Sequence, residues 1–179
     1  MKRNELRLPL PCVAALLCCA RAVAAPSALP ADVPEALRAP AGANLVLAVH
    51  ASGTQIYVCK AADDDKFQWT LKAPDAQLRD AHGAVVGHHF AGPSWKYKDG
   101  SEITGKAVAH VDSPDPTAAA WLLVNVVSHA GSGLFERVTT VQRLHTRGGA
   151  APLAAGCDAA KAGREARIPY TADYYFYAP

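Results

Sequence analysis

From Asn44 onward, apolar and polar positions alternate with a period close to two, in short runs separated by glycine, proline and aspartate. A period of two places successive side chains on opposite faces of an extended chain, so the pattern predicts strands, not helices. "NLVLAVH" and "TQIYVCK" flank "ASG" and read as a hairpin with Cys59 on its second strand. "KFQWTLK" alternates with Phe67, Trp69 and Leu71 on one face, and "QLRD" pairs with "AVVGHHF" across "AHG". "SWKY" and "EITGKAVAHV" form a third hairpin, with Ile103, Ala107, Ala109 and Val111 inward and Thr104, Lys106 and His110 outward.

The prolines of "DSPDP" then break the chain. "AAWLLVNVV" is too apolar to alternate and predicts a central strand buried on both faces; its alanines leave a helical turn at its start as the alternative. "LFERVTTVQRLHT" is rich enough in Thr and Val to predict a strand. "CDAAKAGREA" has room for a short helix, and "IPYTADYYFYAP" closes the chain as an aromatic strand. Many short strands joined by tight turns predict an all-β fold, an antiparallel β-sandwich or barrel, in one domain over residues 44–179.

The N-terminal residues carry a different pattern. Residues 1–24 have a basic start (Lys2, Arg3, Arg7), an apolar stretch and small residues at Ala22 and Ala24, the form of a cleavable signal peptide. That stretch is too short to span a bilayer, and none of the later runs reaches the ~18 apolar residues of a membrane helix. The expectation is an exported chain, periplasmic or secreted, with no integral membrane segment. Residues 25–43 form a Pro/Ala-rich leader with at most one helical turn near Asp32 to Leu37. Cleavage removes Lys2, Arg3, Arg7 and Arg21 but only Glu5, so the net charge of +2 falls to near neutrality. A mixed-charge surface without a basic patch argues against nucleic acid as a partner.

Only Cys59 and Cys157 remain after cleavage, and in an exported chain they most simply form one disulfide. Buried free thiols and soft metal ligands are the alternatives. A redox motif is disfavoured because C-x-x-C is missing.

In "VVGHHFAGPSW", strand alternation sends His88 and His89 to opposite faces. His88 is then a solvated histidine, while His89 faces a Gly92-Pro93 turn that returns Trp95 to its side. Either His89 is a buried imidazole bonded to a backbone carbonyl, or His89 and Trp95 line a ligand cleft, with Tyr57 and Trp69 as the further ligand-binding candidates. A metal site would need histidines such as His50, His89 and His129 to converge from separate strand ends, since no H-x-H or H-E-x-x-H spacing is present. Ser132 lacks the G-x-S-x-G elbow, and Asp63, Asp64 and Asp65 form a solvated loop run. Tyr170, Tyr174 and Phe176 share one face of the last strand and Tyr175 and Tyr177 the other; one face is core and the other a possible stacking platform.

The ordered series "GTQIYVC", "WTLKAPDAQLRD", "GHHFAGPSW", "DGSEITGK", the long segment from "WLLVNVV" to "APLAAGC", and "IPYTADYYFY" resembles the exported bacterial and fungal DUF3455 family, a domain of unknown function. The resemblance runs from Ala39 to Tyr177. It implies that Cys59 and Cys157 are a matched pair and that His89, Gly92, Pro93 and Trp95, but not His88, belong to the family pattern. It implies no established reaction. Some fungal relatives carry the label malate dehydrogenase, which these residues do not support. "GSGLFE" lacks the third glycine of a dinucleotide loop and joins two strands. Three functions follow in order. The first is an exported β-domain without a cofactor that binds a small molecule, glycan or envelope component. The second is a histidine-based metal-binding protein or metalloenzyme, and the third a structural or interaction module with no small ligand.

Overall fold

In the computed structural model, which describes residue 30 and residues 32–63 and 66–179, the alternating runs form eight antiparallel strands. They are β1 (Asn44–Ala61), β2 (Phe67–Arg79), β3 (Val85–Phe90), β4 (Ser94–Tyr97), β5 (Glu102–Val111), β6 (Trp121–Ala130), β7 (Thr140–Gly148) and β8 (Glu165–Ala178). Each pairs with its neighbours in chain order, and β8 returns to β1 from Leu45↔Tyr177 down to Val58↔Glu165. The fold is therefore a closed up-and-down barrel, which leaves no free sheet edge. The expected signal peptide and Asp64 and Asp65 lie outside the described residues. Among the described residues no helix is long and apolar enough to cross a membrane.

Several strands differ from the sequence pattern, each for a local reason. "ASG" is not a hairpin: β1 runs straight through it, with Ser52↔Gln77 and Gly53↔Ala76 in unbroken register. A Cβ at Gly53 would overlap the Asp75 carbonyl, so this glycine permits close backbone approach instead of a turn. "KFQWTLK" and "QLRD" are one strand, β2, in which Pro74 sits opposite Gln55 beside a bulge at Ile56/Tyr57, where a strand tolerates proline. Leu71 on that strand is exposed. In β5 a register shift between Ala107 and Ala109 leaves Ala107 exposed and turns Ala109 and Val111 to the outer side of the barrel. In β6 only the first half is covered on both faces; Val127 is 62% exposed. "LFER" is a 3-10 turn, Leu134–Arg137, and its strand starts at Thr140.

The leader explains the apolar outer positions. Its single 3-10 turn, Glu35–Leu37, lies on the outside of the barrel with Leu37 at 0% exposure against Trp121, Leu144, Tyr175 and Tyr177. Gln142 accepts from the Tyr177 hydroxyl at 2.7 Å and donates its Nε2 to the Leu37 carbonyl. The C-terminal half of β8 is consequently buried on both sides, with Tyr174 and Phe176 in the interior cluster and Tyr175 and Tyr177 under the leader. The second tyrosine face is a covered surface, not an open stacking platform.

The two ends of the barrel are closed differently. One end is stoppered by Phe135, fully buried and stacked on Phe176 at 4.7 Å. Asp99 holds that turn in place, accepting from Leu134 N at 2.7 Å and from Ser101, whose hydroxyl accepts from Phe135 N. These donors also keep the Asp99 carboxyl below its ordinary pKa, Leu134 N foremost. The other end is covered by residues 112–120 and by the segment after β7. Ala118 bridges to Gly149, and Ala119 N donates to Gly148 O at 2.8 Å. The Cys59–Cys157 disulfide, with Cα atoms 5.5 Å apart, ties this second segment to β1. Closing a loop of 98 residues stabilises by roughly 4 to 5 kcal/mol in the chain-entropy model.

Leu37→Ala tests whether the leader is part of the folded unit. Removing a fully buried leucine is expected to cost about 2 to 5 kcal/mol in urea denaturation, against near-zero for Glu35→Ala on the exposed side of the same turn. Equal, small effects at both positions would show that the leader does not pack.

Candidate functional site

The β3–β4 hairpin separates the adjacent histidines as alternation requires. His88 is exposed, its Nε2 3.2 Å from an Asp75 carboxylate oxygen, while His89 is 2% exposed inside the barrel. Gly92, at φ 129°, makes the turn that sets Trp95 directly opposite His89. The two rings stack at 4.5 Å and 7°, and Tyr174 meets both edge-on. His89 Nδ1 lies 2.8 Å from the Ser94 carbonyl, which can only accept, so Nδ1 carries the proton. Burial pushes the His89 pKa down to about 3; the Ser94 hydrogen bond opposes this, and the positive charges of Arg143 and His88 add to it. His89 is a neutral core imidazole. Trp95, at 1% exposure, is packed beside it.

What His89 and Trp95 border is a polar zone inside the barrel. Arg143 on β7 stands opposite Leu122 on one side and Tyr174 on the other, so it points inward with them. Its Nε and Nη2 both donate to the Ala120 carbonyl, at 3.1 and 2.8 Å, which fastens the end-covering segment. Thr146 adds a hydrogen bond to Ala119 O. Tyr57 donates to Gly149 O at 2.7 Å on the other side of the same cover. Arg143 lies close enough to lower the pKa values of Tyr57, Tyr170 and Tyr174, all three of which burial raises more strongly. Around it, both amide atoms of Gln55 and Trp95 Nε1 have no protein partner. The buried Tyr170 and Tyr174 hydroxyls interact with each other, and Tyr174 with Arg143, without reaching full hydrogen-bond geometry.

Of the sequence-derived ligand candidates, Tyr57, His89 and Trp95 belong to this zone. Trp69 stands apart, paired with Cys59 across the β1–β2 ladder and packed near Gly156. The sequence reasoning passed over Gln55 and Arg143. The signal for Arg143 was its parity: it shares a strand face with Val141, so a charge sits where alternation asks for an apolar residue.

The metal candidates do not meet. His50 bonds Asp173 at 2.9 Å, His89 bonds Ser94 O, and His129 Nε2 bonds Val138 O at 2.8 Å. Among the described residues no group of three or more His, Cys, Asp or Glu side chains is arranged to hold a metal ion. His50 instead belongs to an outer chain of contacts. Asp173 also binds His145 Nδ1 at 2.9 Å, and His145 Nε2 reaches Asp32 of the leader at 3.3 Å. His145 has φ 50°, at the register shift between Leu144 and Arg147. These contacts link β1, β7, β8 and the leader.

Acid titration checks the state of His89. Its folded pKa lies below the 6.5 of an unfolded histidine, so the unfolded chain binds the extra proton and stability is lost as pH falls from about 6.5 toward 3. Wild type is expected to lose up to about 1.4 kcal/mol per pH unit more than His89→Gln between pH 6 and 4.5, measured by urea denaturation. Parallel pH profiles would mean that His89 protonates freely in the folded state.

Neither curated proteins nor solved structures give a match to this chain. A family profile does match, over residues 40–178, and this span contains all eight strands, the disulfide and the zone around Arg143. The chain belongs to the family described as protein of unknown function (DUF3455).

Proposed function

We propose that this protein is an exported binding barrel that receives a small molecule at the polar end of its interior, beneath residues 112–120. The observation that carries this reading is Gln55. Its amide is 99% buried, yet neither its nitrogen nor its oxygen has a partner, and the buried hydroxyls of Tyr170 and Tyr174 have only each other and Arg143 at less than full hydrogen-bond geometry. More than nine in ten buried polar groups in folded proteins are hydrogen-bonded, and an orphan costs about 1 to 3 kcal/mol. Such a cluster is expected where the missing partner is a bound molecule. Eight-stranded barrels have an interior of the right width to hold one small ligand among their side chains.

Binding, not catalysis, fits the chemistry present. His89 is neutral and already bonded, the tyrosines are held protonated, and among the described residues no carboxylate is buried beside them. Export is supported by the basic, apolar and small-residue order of residues 1–24 and by a disulfide, which persists in oxidising compartments.

Gln55→Leu removes both orphan atoms at similar volume. The variant is expected to unfold no earlier than wild type, because replacing an unsatisfied polar group by an apolar one is neutral or stabilising. A thermal-shift panel of small sugars, polyols and organic acids is expected to give at least one compound that raises the melting temperature of wild type and not of Gln55→Leu. Hits that act equally on both proteins, or a strongly destabilised Gln55→Leu, would count against an interior site.

A further inference from the structure

We infer that the molecule received at the polar end is an anion bearing a carboxylate, with Arg143 as its counterion; this rests on the proposal that the end binds a ligand at all. Arg143 is a 9% exposed guanidinium, and no salt bridge to it is found among the described residues. The buried polar residues are Gln55, His89, Ser94, Ser101, Thr140, Gln142, Arg143 and Thr146, with no Asp or Glu in the set. Among the described residues Asp75 is the one carboxylate whose charge reaches Tyr170, and it is half exposed and engaged outside by His88 and Arg167.

The neighbours supply no negative charge of their own. Burial raises Tyr57, Tyr170 and Tyr174 above the ordinary phenol pKa, so they remain neutral, and His89 is neutral as well. A buried cation without a counterion is strongly disfavoured, and water in its place would satisfy hydrogen bonds without neutralising the charge.

The hydrogen-bonding inventory has the same sense. Arg143 uses Nε and Nη2 on one carbonyl and also interacts with the Tyr174 hydroxyl, so its guanidinium meets neutral groups. Gln55 Nε2 and Trp95 Nε1 each have a hydrogen to donate, and the Tyr170–Tyr174 hydroxyl pair has one beyond the hydrogen it shares. A site where donors and a positive charge outweigh the one orphan amide acceptor, Gln55 Oε1, suits a ligand rich in acceptors, and the planar guanidinium edge matches a carboxylate. Gly149 packs directly against this zone. It has φ 82°, and a Cβ there would come within 2.7 Å of Tyr170 Cβ and 3.1 Å of Gln55 Cγ.

The test uses the mature, disulfide-bonded chain in a carboxylate-free buffer at fixed ionic strength. Sodium acetate, its neutral isostere acetamide, and sodium chloride are titrated in calorimetry and thermal shift. Acetate is expected to bind saturably and about ten-fold or more tighter than acetamide, with no saturable response to chloride. Arg143→Gln is expected to abolish acetate binding and Tyr170→Phe to weaken it. If Arg143→Gln does not fold, Tyr170→Phe, which keeps the ring, decides. Acetamide binding as well as acetate would overturn the anion and leave the binding proposal standing. An acetate response equal to that of chloride, or unaffected by Tyr170→Phe, would overturn the anion site. Failure of all three probes overturns it as well, and if the wider compound panel also fails, the binding proposal falls with it.

Discussion

The pairing of β8 with β1 is the constraint on which the rest of this structure depends. Until the last strand of the chain lies along the first, from Leu45↔Tyr177 to Val58↔Glu165, there is no inside. Closure fixes parity for every strand, because sliding one strand by a residue would exchange its core and solvent faces. It sets Tyr170, Tyr174 and Phe176 against Trp95 and Val49 in the interior, and presents Tyr175 and Tyr177 outward as an apolar strip that the leader then covers. The outer contacts of Asp173 with His50 and His145 lie on the same seam.

Within the closed barrel the chemistry is graded along the axis. Phe135, Val138, Val141 and Phe176 fill one end with apolar side chains. Gln55, Tyr57, His89, Arg143 and Tyr170 give the other a polar lining, roofed by backbone that Arg143, Thr146 and Tyr57 hold through carbonyl oxygens. A barrel selected for stability alone would place leucine or valine at Gln55 and Arg143, where burial of polar groups is unfavourable. Departures from that rule concentrate at functional sites.

Much of this was legible in the sequence, because period-two alternation is a local property. It separated His88 from His89, put Trp95 beside His89 through the Gly92-Pro93 turn, and identified an all-β chain stapled by Cys59 and Cys157. The illegible parts depended on non-local contacts. Gly53 looks like a turn residue, and only the approach of β2 shows it to be a crossing point. The outer tyrosines look like a free platform until Leu37 is seen to lie over them. Arg143 was readable as a charge on an apolar face, but its lack of a carboxylate partner among the described residues emerges only from the arrangement of all eight strands.

The most direct measurement is an anomalous-difference map from crystals of the mature chain soaked in bromoacetate. If the polar end is an anion site, a bromine peak appears inside the barrel, with the carboxylate on Arg143 and the Tyr170 hydroxyl. Ordered water alone on Gln55, Tyr170 and Arg143, with bromine confined to the surface, would contradict it.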